Sequence, residues 1–99
     1  MIIQHRAVTL DGTTGGNVPV SRDLPTTQIS VAGRTSGTLT ITGKSAGSDV
    51  FEAFQPALTL DLSTERTATI SDFSLSELNF AVSAGGADFD VTVSQWYTQ

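Results

Sequence analysis

The chain has 99 residues, 38% of them hydrophobic, which fits one compact domain with one core. Ten acidic against five basic residues leave a net charge of −5, which argues against binding along a nucleic-acid backbone. The absence of cysteine excludes disulfides, thiolate chemistry and Cys-based zinc sites, and no apolar run approaches the about 18 residues of a membrane span.

The opening "MIIQHRAVTL" is too short in its apolar part, and too interrupted by Gln4, His5 and Arg6, for a secretory signal. Residues 1–24 are the least regular and are expected to form an N-terminal arm or an edge strand, ahead of a β-sandwich domain over 25–99. Within them "RAVTL" offers Val8 and Leu10 to a core, and "DGTTGGN" is a turn-forming loop. Pro19 and Pro25 cannot donate to a sheet ladder, so this stretch belongs at an edge.

From Thr26 the two-residue alternation of a half-buried strand takes over. "TQISVAG" turns Ile29 and Val31 inward and "GTLTITG" turns Leu39 and Ile41 inward. The short Gly-bounded link between them predicts a hairpin. "VFEAF" is a short strand carrying Val50, Phe51 and Phe54 that Pro56 is expected to end. "ALTLDLS" follows with Leu58, Leu60 and Leu62 on one face.

"ATISDFSL" holds Ile70, Phe73 and Leu75. Ser74 and Glu77 have the spacing of a helix capping box, but no apolar helical stripe follows. Instead Leu78, Phe80 and Val82 alternate, and "DFDVTVSQW" closes the pattern with Phe89, Val91 and Val93. Seven or eight strands at this spacing, with no helix long enough for a parallel crossover, predict an all-β fold. The expected architecture is a single antiparallel β-sandwich, Ig-like or jelly-roll, with an irregular N-terminal arm.

Catalytic chemistry finds little footing. His5 is the only histidine and carries no flanking motif. Asp88 and Asp90 share a strand face and, joined by Asp49, would make half a calcium site. A solvated strand face is the preferred reading, since no regular calcium-loop spacing is present. "DGTTGGN" lacks the Lys-Ser/Thr ending of a phosphate loop. No catalytic residue, metal or cofactor is therefore expected.

Interaction features are more evident. Trp96 and Tyr97 adjoin, so on a strand one closes the core and the other lies outside, where it is free to anchor a protein contact or stack on a sugar. Arg34, Lys44 and Arg66 lie in or beside turns, either solvated or paired with acids on a neighbour. Thr38, Thr40, Thr42, Thr59, Thr67, Thr69 and Thr92 are expected to cover flat strand surfaces poor in lysine, which favours packing against copies or a larger scaffold.

The succession "SGTLTITG" at Ser36–Gly43, the apolar–aromatic–apolar strand at Leu78–Val82, and "GGADFDVTV" at Gly85–Val93 resembles small β-sandwich structural proteins of tailed-bacteriophage virions. The likeness covers about three quarters of the chain. Where related strings carry "DG" and Trp after the second strand, this one has "AGSDVF", and no functional residue is carried over.

The resemblance implies a non-enzymatic role, foremost a capsid decoration or cement protein bound to the major capsid protein or another virion protein. It implies assembly as a homo-oligomer, a trimer foremost, in the virion, with no nucleic-acid or membrane partner. The initiator Met and the lack of a linker lead one to expect a stand-alone protein. A neck, tail or baseplate component and a carbohydrate-binding adhesion module are the alternatives. The expected contacts are Ile2 and Ile3 at the N-terminal end and the Trp96–Tyr97 end.

Overall fold

A computed structural model describes residues 3–71, 73–83 and 85–97, with the backbone alone at 55 and 56. It contains eight strands: β1 (Ile3–Leu10), β2 (Gly16–Pro19), β3 (Thr26–Ala32), β4 (Thr38–Ser45), β5 (Phe51–Asp61), β6 (Thr67–Ile70), β7 (Leu75–Val82) and β8 (Phe89–Trp96). They form two four-stranded antiparallel sheets, ordered β1-β8-β3-β6 and β2-β7-β4-β5. Every connection except β4 to β5 crosses from one sheet to the other, which is the wiring of a jelly roll. Of the two sandwich types open to the sequence, the topology selects this one.

The core is the product of the alternation. Ile29 and Val31, Leu39 and Ile41, Leu60 and Leu62, Leu78 and Phe80, and Phe89, Val91 and Val93 all lie buried between the sheets. Phe80 and Phe89 are its largest fully buried side chains. Each fully buried side chain of this size contributes roughly 1.5–3 kcal/mol of transfer free energy.

Several expectations about connectivity are corrected. β3 and β4 do not form a hairpin: β3 pairs with β6 and β8, while β4 pairs with β5 and β7. The link is short, but Gly33 and Gly37 adopt φ of 100° and 89°, and these left-handed residues swing the chain from one sheet to the other.

Pro56 does not end a strand, because Phe51–Asp61 is one continuous edge strand. Opposite it the register jumps from Ile41↔Leu58 to Thr42↔Ala53, so the stretch holding Pro56 is extra chain that needs no ladder partner. Gly43 leaves room there for the Phe54 ring, which leans on the core.

Conversely, "ATISDFSL" is not one strand. β6 stops at Ile70, β7 starts at Leu75, and Phe73 lies in the crossover, 46% exposed and edge-on to Phe54 at 5.6 Å between ring centroids.

The stretch read as irregular pairs regularly from Ile3 onward. β1 and β2 are the outer strands on the same side of the two sheets and send Leu10 and Val18 into the core. Alternation is faint in β1 because Gln4 and Arg6 occupy its core-facing positions near the uncovered end, opposite Gln95 and Val93.

Candidate interaction surface

The core between the sheets is packed but opens at a cleft beside β1 and the end of β2, so the surfaces of interest are the outer faces, the loop ends and that cleft. The first outer face belongs to β1-β8-β3-β6. Residues directly across from one another share a face, so Ile3 stands beside Trp96, His5 beside Ser94 and Thr9 beside Asp90. His5 Nδ1 is 2.8 Å from Ser94 Oγ, and the Thr9 hydroxyl donates to Asp90 Oδ1 at 2.6 Å. Gln28, Ser30, Thr67, Thr69 and Thr92 complete a flat, nearly uncharged surface.

The second outer face, on β2-β7-β4-β5, carries Thr38, Thr40, Thr42, Thr59 and Ala81, with Asn79 donating to Asn17 Oδ1 at 2.6 Å. It ends in a part-exposed ion pair, Lys44 to Glu77 at 3.1 Å, with the ammonium 4.7 Å from the centre of the Phe51 ring. Of the seven threonines expected on open strand surfaces, six are exposed and Thr42 is half-buried.

Two of the four residues singled out for contacts come together. Ile3, 53% exposed, and half-buried Trp96 sit side by side at one end of the first face. Tyr97, also half-buried, lies just past β8, and Ile2 lies outside the described residues. Both aromatics are half-buried, and neither is among the fully buried core residues. The inward position next to them belongs to Gln95, which is 4% exposed.

Gln95 Oε1 accepts from the Ser21 N–H at 2.8 Å, while Nε2 donates to Ser21 O at 3.0 Å, to Leu24 O at 3.4 Å and to Thr27 Oγ1 at 3.3 Å. One carboxamide thus clips the β2–β3 crossover to the end of β8. The signal was present in the alternation Val91, Val93, Gln95, which places Gln95 inward.

Arg34 is placed differently from the sequence expectation. It is neither solvated nor at an interface but 2% exposed. Its guanidinium donates from Nε to Ser36 O at 2.7 Å and from Nη1 to Gly12 O, while its own carbonyl accepts from Arg66. Asp88 joins the same end of the sandwich, accepting from the Gly12 N–H at 3.0 Å. Gly12 is obligatory there, since a Cβ would fall 2.1 Å from Ala87 O.

The expected partnership of Asp88, Asp90 and Asp49 does not form. Asp88 caps a loop, Asp90 bonds Thr9 on the outer face, and Asp49 follows β4 at the opposite end of the sandwich. Among the described residues no three His, Cys, Asp or Glu side chains converge as a metal site would require. Asp11 and Asp61 have lowered pKa values, each through a nearby hydroxyl and backbone N–H, those of Thr13 and Ser63. Both are Asx turns.

Neither a family model nor a curated protein sequence matches the chain. The fold has solved counterparts. The SPBc2 prophage-derived protein YomS is 13% identical with a TM-score of 0.64, over 96% of this chain and 95% of that one. AlgX of Pseudomonas aeruginosa is 11% identical with a TM-score of 0.57, over 96% of this chain but only 26% of that one. The Drosophila NLP core, described as pentamer-forming and histone-binding, is 12% identical with a TM-score of 0.51, over 99% and 100% of the two chains. At these identities the likeness establishes the jelly-roll sandwich and nothing about activity.

Proposed function

We propose that this chain is a non-enzymatic structural protein of a tailed-phage virion, and within that class a capsid decoration protein that binds and stabilises the outer shell. The observation that carries the reading is the shared fold with a prophage-derived protein over nearly the full length of both chains. Two flat faces of short hydroxyl side chains support it, because such surfaces lie against a neighbour without burying charge.

The chain then acts as a homo-oligomer, a trimer foremost, seated on the major capsid protein. Ile3 and Trp96 are the proposed contact patch, with Tyr97 beside it. Many weak contacts repeated over a lattice give firm attachment. Quantitative mass spectrometry of particles purified from the source, normalised to the major capsid protein, tests the reading. Copies in the hundreds support decoration. Six or twelve move the chain to the neck, tail or baseplate. None would overturn the virion role.

One observation favours a second reading. Trp96 is half-buried on a flat, weakly charged face, where an indole can stack on a sugar ring. A glycan array that gives no signal, or signal unchanged in Trp96→Ala, removes the adhesion module.

A further inference from the structure

The four sheet edges differ in how they are guarded. β6 and β2 are four residues long and β2 ends in Pro19, while β5 carries a register jump and contains Pro56. β1 has none of these protections and carries a single inward-pointing charge, Arg6. It runs eight residues in unbroken register with β8, from Ile3↔Trp96 to Leu10↔Phe89, and has no Pro, no Lys and no partner on its other side. Its backbone polar groups on that side have no sheet partner among the described residues.

Next to this edge the two sheets part. β2 stops at Pro19 and leaves a cleft of about 390 Å³ lined by Gln4, Arg6, Pro19, Ser21, Val93 and Gln95. Arg6 lies opposite core residue Val93, so its side chain belongs to the core-facing side of β1, yet it is exposed. Its guanidinium makes no hydrogen bond or ion pair among the described residues. A long open strand edge and a guanidinium without a partner among the described residues therefore meet in one cleft.

We infer that the free edge of β1 is a β-augmentation site for an extended segment of a partner protein that carries one carboxylate, received by Arg6 in the cleft. The partner strand hydrogen-bonds along β1, and its alternate side chains enter the gap between the sheets. Arg offers a planar fork of donors that matches a carboxylate.

Charge selects this occupant over a second copy. β1 reads "IQHRAVTL" and contains no acid, so pairing β1 with its own copy brings two Arg- and His-bearing strands together and gives Arg6 no carboxylate. The net charge of −5 disfavours a polyanion and leaves a single, locally delivered carboxylate as the match. The inference does not depend on the virion reading.

The test is a selection of a displayed library of random nine-residue peptides on the purified full chain. The selected peptides are then measured by fluorescence anisotropy and hydrogen exchange. Enriched peptides should share an Asp or Glu at a fixed place among alternating β-branched residues, protect the amides of residues 3–10, and bind Arg6→Gln at least about tenfold more weakly. Arg6 is exposed, so this variant retains the fold. No enrichment, enrichment without an acid, protection elsewhere, or equal binding to Arg6→Gln would overturn it. So would a stable dimer that protects β1 with no peptide present, since the edge would then belong to a second copy.

Discussion

Replacing Gln95 by leucine puts an apolar side chain of similar size in its place and removes the clip on the β2–β3 crossover. Two of its bonds, from the Ser21 N–H at 2.8 Å and to Ser21 O at 3.0 Å, have good lengths. Each contributes about 1 kcal/mol net. Leaving the part-buried Ser21 N–H unpaired costs about 1 kcal/mol more, and the better burial of leucine returns about 1 kcal/mol. The expected loss is therefore about 2 kcal/mol. In a domain of 99 residues this lowers Tm by roughly 8–16 °C. The assay is urea and thermal unfolding followed by the fluorescence of Trp96, the only tryptophan and the chain neighbour of Gln95, with circular dichroism as the second probe. A loss below about 0.5 kcal/mol, with both probes coincident, would show that the crossover is held by packing alone and that the carboxamide geometry carries no weight.

Three more outcomes are expected. Gly12→Ala places a Cβ 2.1 Å from Ala87 O, so backbone has to move, and stability should fall by on the order of 3 kcal/mol in urea titrations. Arg34→Lys keeps the charge but loses the fork that bonds both Gly12 O and Ser36 O, and should cost roughly 1.5–3 kcal/mol, read as a lower urea midpoint. Asp11 and Asp61 ionise more readily folded than unfolded, because the hydroxyls of Thr13 and Ser63, then their backbone N–H groups, bond the carboxylates. Their contribution is complete above the ordinary value of 3.8 and is lost as pH falls through the lower folded values, so Asp11→Asn with Asp61→Asn should flatten the acid limb of stability against pH.

The core was legible because the sheet has a period of two and one face of each strand is dry. Ile29, Val31, Leu39, Ile41, Phe89, Val91 and Val93 could be assigned inward from their neighbours alone. Partnership was not legible. A short Gly-bounded link serves a hairpin and a sheet-to-sheet crossover equally, and only the positions of β6 and β8 around β3 decide between them. Pro56 looked like a stop because the sequence does not show that its strand lies at an edge. Arg34 in a Gly-Ser-Thr turn has the composition of a solvated loop, and its burial follows from three other loops, those of Gly12, Arg66 and Gly86, closing over it. Of the contact residues, the pairing of Ile3 with Trp96 joins positions from opposite ends of the sequence and could emerge only from the register of β1 on β8.

That same register governs how the chain can fold. The first strand has a single partner, the eighth, so β1 stays unpaired until residues 89–96 leave the ribosome. Sheet β2-β7-β4-β5 waits in the same way for β7, and only β4 and β5 meet as sequence neighbours. At translation rates of about 5–20 residues per second the nascent β1 is exposed for several seconds. Closing such distant loops before any compensating burial makes folding slow, on the millisecond-to-second scale. The strand that waits longest is the one with the open edge, so a high local concentration of nascent chains is where misassembly through β1 would begin.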